Sequence, residues 1–352
     1  MKKRLKKISL SILGLFVLFF LWATYPWDLR PRIVQGLIGH TETGEATIDR
    51  PTTLRILSWN IAYAYGMNSE GTAGYVPYQA DKYLLHIEHM AESIRASEAD
   101  VVLMQEVDFN SARSHHLDQL KMLAEKTGLK YWAMAQSWRT NYVPFPSWPF
   151  SRHFGGMSSG GAVLSRWPIK KNEVELLPKP ASKAWWYNLF YLYRYFQTVE
   201  IQVGDRTVKL MNLHLEAFDT EAKVEQAKHL VKRVNEEKPD FVGGDFNMVP
   251  DGAMKRSGFN NPQDRYENDK TFSVVQKMNY KEVVELASYV QKEDTWFTFP
   301  SERPDRRLDY IFYKDGWTLM QSEVFNGPHP EVSDHLPIKA MFKFFEPEFI
   351  RD

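Results

Sequence analysis

Nine side chains able to bind a cation, hold a phosphate or move a proton stand at the ends of short apolar runs in this chain. They are Asn60 in LRILSWNIAY, Glu106 in DVVLMQEVD, Asn212 and His214 in LMNLHLEAF, Asp245 and Asn247 in FVGGDFNMVP, Asp309 in RLDYIFY, and Asp334 with His335 in SDHLPI. A buried strand usually ends in turn residues. Six strand ends carrying such groups imply tips that converge on one crevice. Carboxylates, amides and imidazoles brought together suit metal-assisted attack of water on a phosphate ester.

The elements that must position these groups follow from the apolar pattern. Short strands are expected at 54–60, 101–106, 131–135, 161–165, 172–177, 195–203, 207–214, 240–245, 295–299, 308–313, 317–325 and 337–344. Gly204-Asp205, between two alternating runs, marks a hairpin. Leu84, Ile87, Met90 and Ile94 repeat at helical spacing over 81–97, as do Val224, Ala227, Val231 and Val234 over 220–236. Many strands with few helices predict an α+β fold in which two packed sheets are flanked by helices.

Of the 352 residues, 43% are hydrophobic and 25% charged, which is ordinary for a folded body. Formal net charge is zero, with 44 basic and 44 acidic residues. Eight of the basic and four of the acidic residues lie in the first fifty, leaving 36 against 40 beyond them. A slightly acidic body argues mildly against duplex binding driven by counterion release. The absence of cysteine excludes disulfides, thiolate metal sites and cysteine nucleophiles.

The N-terminus reads as an anchor. Five basic residues in MKKRLKK precede an uncharged, mostly apolar stretch from Ile8 to Tyr25. Eighteen helical residues cover about 27 Å, close to a bilayer's hydrocarbon thickness. Trp22, Tyr25 and Trp27 cluster where an aromatic belt would lie, and the basic stub predicts a cytoplasmic N-terminus with the body outside. A cleaved signal peptide is the rival reading, but ATYPWDLRPR offers no small-x-small site. The expected organisation is a basic stub and transmembrane anchor at 1–25, a tether at 26–53 and a catalytic domain at 54–352.

The same motifs carry a resemblance. SWNI, QEV, NLHL, GDFN, LDYIF and SDHLPI, in that order over roughly 54–345, resemble the endonuclease/exonuclease/phosphatase superfamily with its deoxyribonuclease-I-like fold. The resemblance implies a four-layered α/β/β/α sandwich with its site at one rim. Taken singly, each motif has a plainer reading: Asn60 a turn former, Glu106 a solvated rim charge, GDFN a hairpin turn, His214 a satisfied histidine, SDH an N-cap-like turn, Asp309 an edge charge. Their joint, ordered occurrence favours the site.

Roles follow from residue type. Glu106 is a hard oxygen ligand suited to Mg²⁺, with Mn²⁺ or another divalent cation as alternatives, and Asn60 can complete its shell. Asp334 can reach the same cation or a second one. Asn212 and His214, two apart on a strand, should share a face, and His214 as imidazolium can donate to a phosphate oxygen or leaving group. Asp245 can orient or deprotonate the attacking water, and Asn247 can donate to the phosphoryl oxygen. His335 is the candidate general base, with Asp309 accepting its other ring N–H. His86, His89, His115 and His116 read as solvated, and Arg307 as part of a charged loop or a phosphate contact.

NLHL resembles the sphingomyelinase-like and deoxyribonuclease-like branches. Two aromatic segments, 138–154 and 183–196, lie outside the motifs. Part of 183–196 should be core strand, while Trp185, Trp186 and Tyr187 could seat the domain on a bilayer. The expected function is therefore a membrane-anchored phosphodiesterase acting on a phospholipid-type substrate. An externally displayed nuclease is the alternative, and an inactive binding module a minor third.

Overall fold

The computed structural model describes residues 2–26, 32–41, 51–67, 77–259 and 264–344. In chain order the helices are α1 (Lys2–Ala23), α2 (Ala80–Ser97), α3 (Gln119–Thr127), α4 (Trp185–Phe190), α5 (Thr220–Glu237), α6 (Thr271–Val275) and α7 (Leu286–Gln291). The strands are β1 (Ile33–Gln35), β2 (Leu37–His40), β3 (Thr53–Asn60), β4 (Val101–Asp108), β5 (Tyr131–Val143), β6 (Gly155–Ser165) and β7 (Ile169–Leu176). They continue as β8 (Tyr195–Val203), β9 (Arg206–His214), β10 (Phe241–Asp245), β11 (Lys281–Glu282), β12 (Asp309–Tyr313), β13 (Thr318–Val324) and β14 (Ile338–Lys343).

Two mixed seven-stranded sheets result, in the orders β1-β7-β8-β9-β10-β12-β11 and β13-β14-β3-β4-β6-β5-β2. Their inner faces supply alternate residues to a central core that includes Ile56, Val101, Leu103, Val163, Val199, Leu210, Phe241, Ile311 and Phe342. Each such side chain contributes roughly 1.5–3 kcal/mol by leaving water. On the outer face of the second sheet, α2 and α3 bury Tyr83, Ile87, Met90, Ile94, Leu120 and Leu123. On the outer face of the first, α5 buries Ala227, Leu230 and Val234 against Met211, Val242 and Phe312. Asp219 caps α5 by accepting from the Ala222 amide at 2.8 Å. The architecture is the expected α+β sandwich with helices outside both sheets.

Glycine allows close approach at two places that matter for the rim, once between neighbouring strands and once between the sheets. Gly244 in β10 has φ +149°, and a Cβ there would lie 2.0 Å from the Leu213 carbonyl oxygen. Gly161 in β6 leaves room for the Tyr195 hydroxyl, which a Cβ would meet at 1.9 Å.

Three expectations change. The strand expected at 295–299 is a 3₁₀ turn at Glu293–Trp296 followed by a bridge between Phe299 and Arg306. Phe299 is buried because its ring packs 4.7 Å from the His335 imidazole, so the apolar run there serves the site instead of a ladder. Within the segment read as a tether, β1 pairs with β7 and β2 with β5, closing one side of the sandwich. The crossing is pinned by Asn172, whose Nδ2 donates to the carbonyls of Leu37 and Met134 at 2.9 Å each. Residues 27–31 and 42–50 of that segment lie outside the described residues. In 183–196, strand begins only at Tyr195, and Trp185–Phe190 is a short helix.

Helix α1 contains an 18-residue stretch, Lys6–Ala23, long and apolar enough to cross a membrane, and 6% of it is buried. Only its last turns touch the body. Thr140 Oγ1 donates to the Ala23 carbonyl at 2.6 Å and Asn141 Nδ2 to that of Trp22 at 3.0 Å, so β5 satisfies carbonyls the helix end leaves free. Phe19 packs on Tyr142 and Phe20 on Phe190 at ring separations of 5.8 and 5.6 Å.

Gly244→Ala should lower stability by about 3 kcal/mol, since strain and a backbone clash coincide. Gly128→Ala, at φ +74° but with nothing within 4 Å of the added carbon, should cost only about 1 kcal/mol. Denaturant midpoints of the two variants check this, and equal losses would contradict it.

Candidate active site

The register of the first sheet builds one side of the site. Strands β9 and β10 run parallel, so their C-terminal ends lie together, and Asp245 pairs with His214. Antiparallel β12 begins at the same rim and sets Asp309 opposite Asp245. His214, Asp245 and Asp309 therefore form one transverse row. In the second sheet, parallel β3 and β4 set Asn60 beside Gln105. The rows meet across the sandwich where Asn60 Nδ2 donates to Asp245 Oδ2 at 3.0 Å. Glu106 follows at a register irregularity between Met104 and Val107, with φ +56°. That bulge breaks the alternation and turns its carboxylate into the crevice, where the side chain remains 22% exposed.

The SDH loop closes the other side. Trp59 Nε1 donates to the His335 carbonyl at 2.9 Å, and Ser333 Oγ donates to that of Asn60 at 2.7 Å. The His335 ring lies 2.8 Å, Nδ1 to Oδ2, from Asp309, and its Nε2 is 3.9 Å from Asp245. Burial works against the imidazolium, but the carboxylates of Asp309, Asp245 and Asp334 outweigh it and hold His335 up to about 10. Asp245 itself is pushed up to about 6 by burial, against the pull of His335.

His214 departs from its expected charge. Its Nε2 is 2.5 Å from Arg194 and 3.3 Å from Asp245. Burial, then the charges of Arg194 and His335, hold its pKa well below the ordinary value, so the ring is neutral and accepts from the guanidinium. Arg194 is the functional-site residue the motifs did not reveal. It is buried, 3.6 Å from Glu216, which in turn accepts a 2.8 Å hydrogen bond from Tyr191. Its only signal was a lone cation at the rim-side end of an aromatic run. Burial raises the Glu106 carboxyl, partly offset by Arg194.

The remaining candidates divide. Asn247, at φ +49°, bonds Asp245 Oδ1 through its amide N–H at 2.9 Å and the Leu215 carbonyl through Nδ2 at 3.0 Å. Asn212 faces the same way as His214 but lies one pair deeper. Its amide is saturated by Gln105, Met104, Ala162 and Gln197, so it braces one sheet against the other and does not reach the crevice. Asp334 adjoins His335 and acts on it by charge. Arg307 is buried and paired with Glu282 at 2.6 Å, which rules out both the solvated loop and the phosphate contact. His86 is buried too, its Nδ1 2.8 Å from the Ala64 carbonyl, whereas His115 and His116 lie in exposed contacts.

The donors fit a divalent cation. Asp245, Asp309 and His335 bring three ligand atoms within 4.8 Å of one another. Among the described residues Asp309 Oδ1 is buried without a hydrogen-bond partner. Since Asp309 already engages His335 Nδ1, the carboxylate of Glu106 at the open side of the crevice is the better fit for a hard cation. Asn60 adjoins it, with Oδ1 accepting from the Ala62 N–H at 3.0 Å and Nδ2 turned to Asp245.

A model of the endonuclease/exonuclease/phosphatase family matches residues 57–335. An endonuclease/exonuclease/phosphatase from Beutenbergia cavernae superposes with a TM-score of 0.58 at 21% identity, covering 84% of this chain and 72% of that one. One from Bacteroides vulgatus gives 0.54 at 14%, covering 84% and 100%. A family protein from Bacteroides thetaiotaomicron gives 0.54 at 18%, covering 85% and 100%. At these identities the likeness speaks for the fold. No curated protein matches the chain.

The double variant Arg194→Met/Glu216→Gln removes the cation without stranding its partner, and should move the His214 titration to higher pH by NMR. An unmoved titration would clear Arg194 of that effect. Because His335 sits above its unfolded 6.5, the stability it contributes is full below pH 6.5 and lost as pH rises through about 10. In EDTA, His335→Gln should therefore narrow the stability difference between pH 6 and pH 10 relative to the parent, read from urea midpoints.

Proposed function

The chain belongs to the endonuclease/exonuclease/phosphatase family, whose members are generally phosphoester hydrolases, and from that premise we propose that it is a Mg²⁺-dependent phosphodiesterase held at a membrane by α1, acting on a lipid-type phosphodiester. Glu106 would hold the cation, with Asn60 and Asp334 beside it and Asp245 left to act on the water. When bound, the cation polarises the phosphoryl oxygens and neutralises charge as it builds.

The rest is work for the chain's own side chains. Asp245, held near 6, is matched to accepting a proton from water at neutral pH. Residue type alone suggests a base at His335, but the carboxylates around it give it the opposite part. It holds its proton in the resting site and can deliver it to a phosphoryl oxygen or the departing alkoxide. Asp309 fixes the ring and its tautomer. Arg194, next to neutral His214, supplies a buried positive charge for the phosphate. Asn247 keeps a second amide proton for the same anion.

What supports a lipid is the surface around the docked end of α1. Trp148 and Trp185 are each 73% exposed there or close by in sequence to the docking strand, with Phe150 at 67%. Trp185 lies 6.3 Å from Phe20, which ties that rim to the anchor. Aromatic rings flanking an apolar helix are favoured at a membrane interface. The N-terminal basic stub sets the orientation, with the stub in the cytoplasm and the catalytic body outside.

The test is the full chain in detergent, assayed with Mg²⁺ or EDTA on sphingomyelin, phosphatidylinositol, plasmid and single-stranded DNA. Lipid hydrolysis abolished by EDTA is expected. Glu106→Ala and His335→Ala should each lower kcat by about 10²–10⁴-fold. Rapid plasmid cleavage with inert lipids would replace this reading with a nuclease, and activity surviving both substitutions would remove the assigned roles.

A further inference from the structure

A cavity of about 320 Å³ lies between the end of α1, β5 and α4. One wall is Thr24 and Pro26, the residues that leave the apolar helix, and another is Arg139, Trp185 and Leu189. Tyr191 also lines it, and the same Tyr191 donates to Glu216, which adjoins Arg194, which contacts His214. The cavity is thus joined to the catalytic crevice by one continuous run of contacts. The strand register agrees, because Ser137 and Trp138 in its floor lie just beyond the Gly160 level of β6, where β4 presents the residues around Glu106.

We infer that this cavity is the subsite for the polar–apolar junction of a membrane phospholipid, which enters sideways along α1 while its phosphate reaches the crevice. The inference rests on the lipid reading above and adds where that lipid is held. Three features choose this occupant. The wall made by α1 places the cavity mouth where the apolar helix meets the body, which is the headgroup level of a bilayer. Arg139 is exposed and has no ion-pair partner among the described residues, so an anionic headgroup finds an available cation at the mouth. The volume is at the lower end of ligand pockets, roughly 300–1,000 Å³. That accommodates a linkage region but leaves paired acyl chains in the bilayer.

The experiment compares the full chain with Leu189→Trp, which fills the cavity, and Arg139→Glu, which reverses the charge at its mouth. Neither residue touches the catalytic row. Each protein, in Mg²⁺, is given vesicles of phosphatidylcholine, sphingomyelin and phosphatidylglycerol in equal parts, and separately the water-soluble diester bis(4-nitrophenyl) phosphate. Expected is a loss of about tenfold or more in vesicle-lipid turnover, with an increased lipid KM, while the soluble diester stays within about twofold of the parent. Variants indistinguishable from the parent on vesicles would overturn the subsite and leave the lipid reading standing. Equal losses on both substrates would show the cavity to be structural and overturn it as well. A parent chain that cleaves the soluble diester but no vesicle lipid would overturn the lipid reading and the subsite together.

Discussion

At the rim, the two sheets are joined through one carboxylate. Asp245 accepts from Asn60 of the opposite sheet and from the Asn247 amide, and lies within 3.3 Å of His214 in its own row. Burying a carboxylate is unfavourable unless hydrogen bonds and charges compensate. Here they compensate incompletely, and the result of that imbalance is an acid pushed up to about 6. A group left close to neutrality by its surroundings can exchange a proton at physiological pH, which a fully satisfied carboxylate cannot.

Around that centre lies a shell of buried charges whose work is to keep the rim rigid. Lys223 pairs with Asp269 at 2.8 Å, Arg307 with Glu282, and Arg113 with Asp108 at 3.0 Å, all close to fully buried. Such pairs add little net stability, but breaking one strands its partner, so they hold neighbouring elements in one arrangement. Arg194 belongs to the same class by burial yet differs in position. It touches His214 directly, and its charge adds to burial in keeping that ring neutral beside a histidine that is charged. Both imidazoles are buried, and their opposite protonation follows from the carboxylates that surround one and the guanidinium beside the other.

The end of α1 is also tied to the body. Chain segments on either side of residues 27–31 are tied down separately, the helix end by Thr140 and Asn141 and residues 33–40 by β7 and β5. A helix attached at its last turn by backbone carbonyls and ring contacts is held against β5, which a flexible stalk would not do.

The strand and helix pattern was largely legible in the chain itself. Alternation located β3, β8, β9, β12 and β14 to within a residue or two, and helical spacing located α2 and α5, because burial of one face per element is a local property of sequence. The motifs likewise determined which residue types stand at the strand ends. What alternation could not tell is depth. Asn212 and His214 share a face, yet one braces the sheets and the other lines the crevice, and only the packing of the opposite sheet decides between them. Nor could sequence place Arg194, whose role depends on β8 entering beside β9, or turn Glu106 inward, which takes a bulge against β6. Protonation came last of all. The charge on His214 and His335 is set by burial and by charged groups, most of them brought from twenty or more residues away, so residue type supplied the candidates and tertiary contact assigned their states.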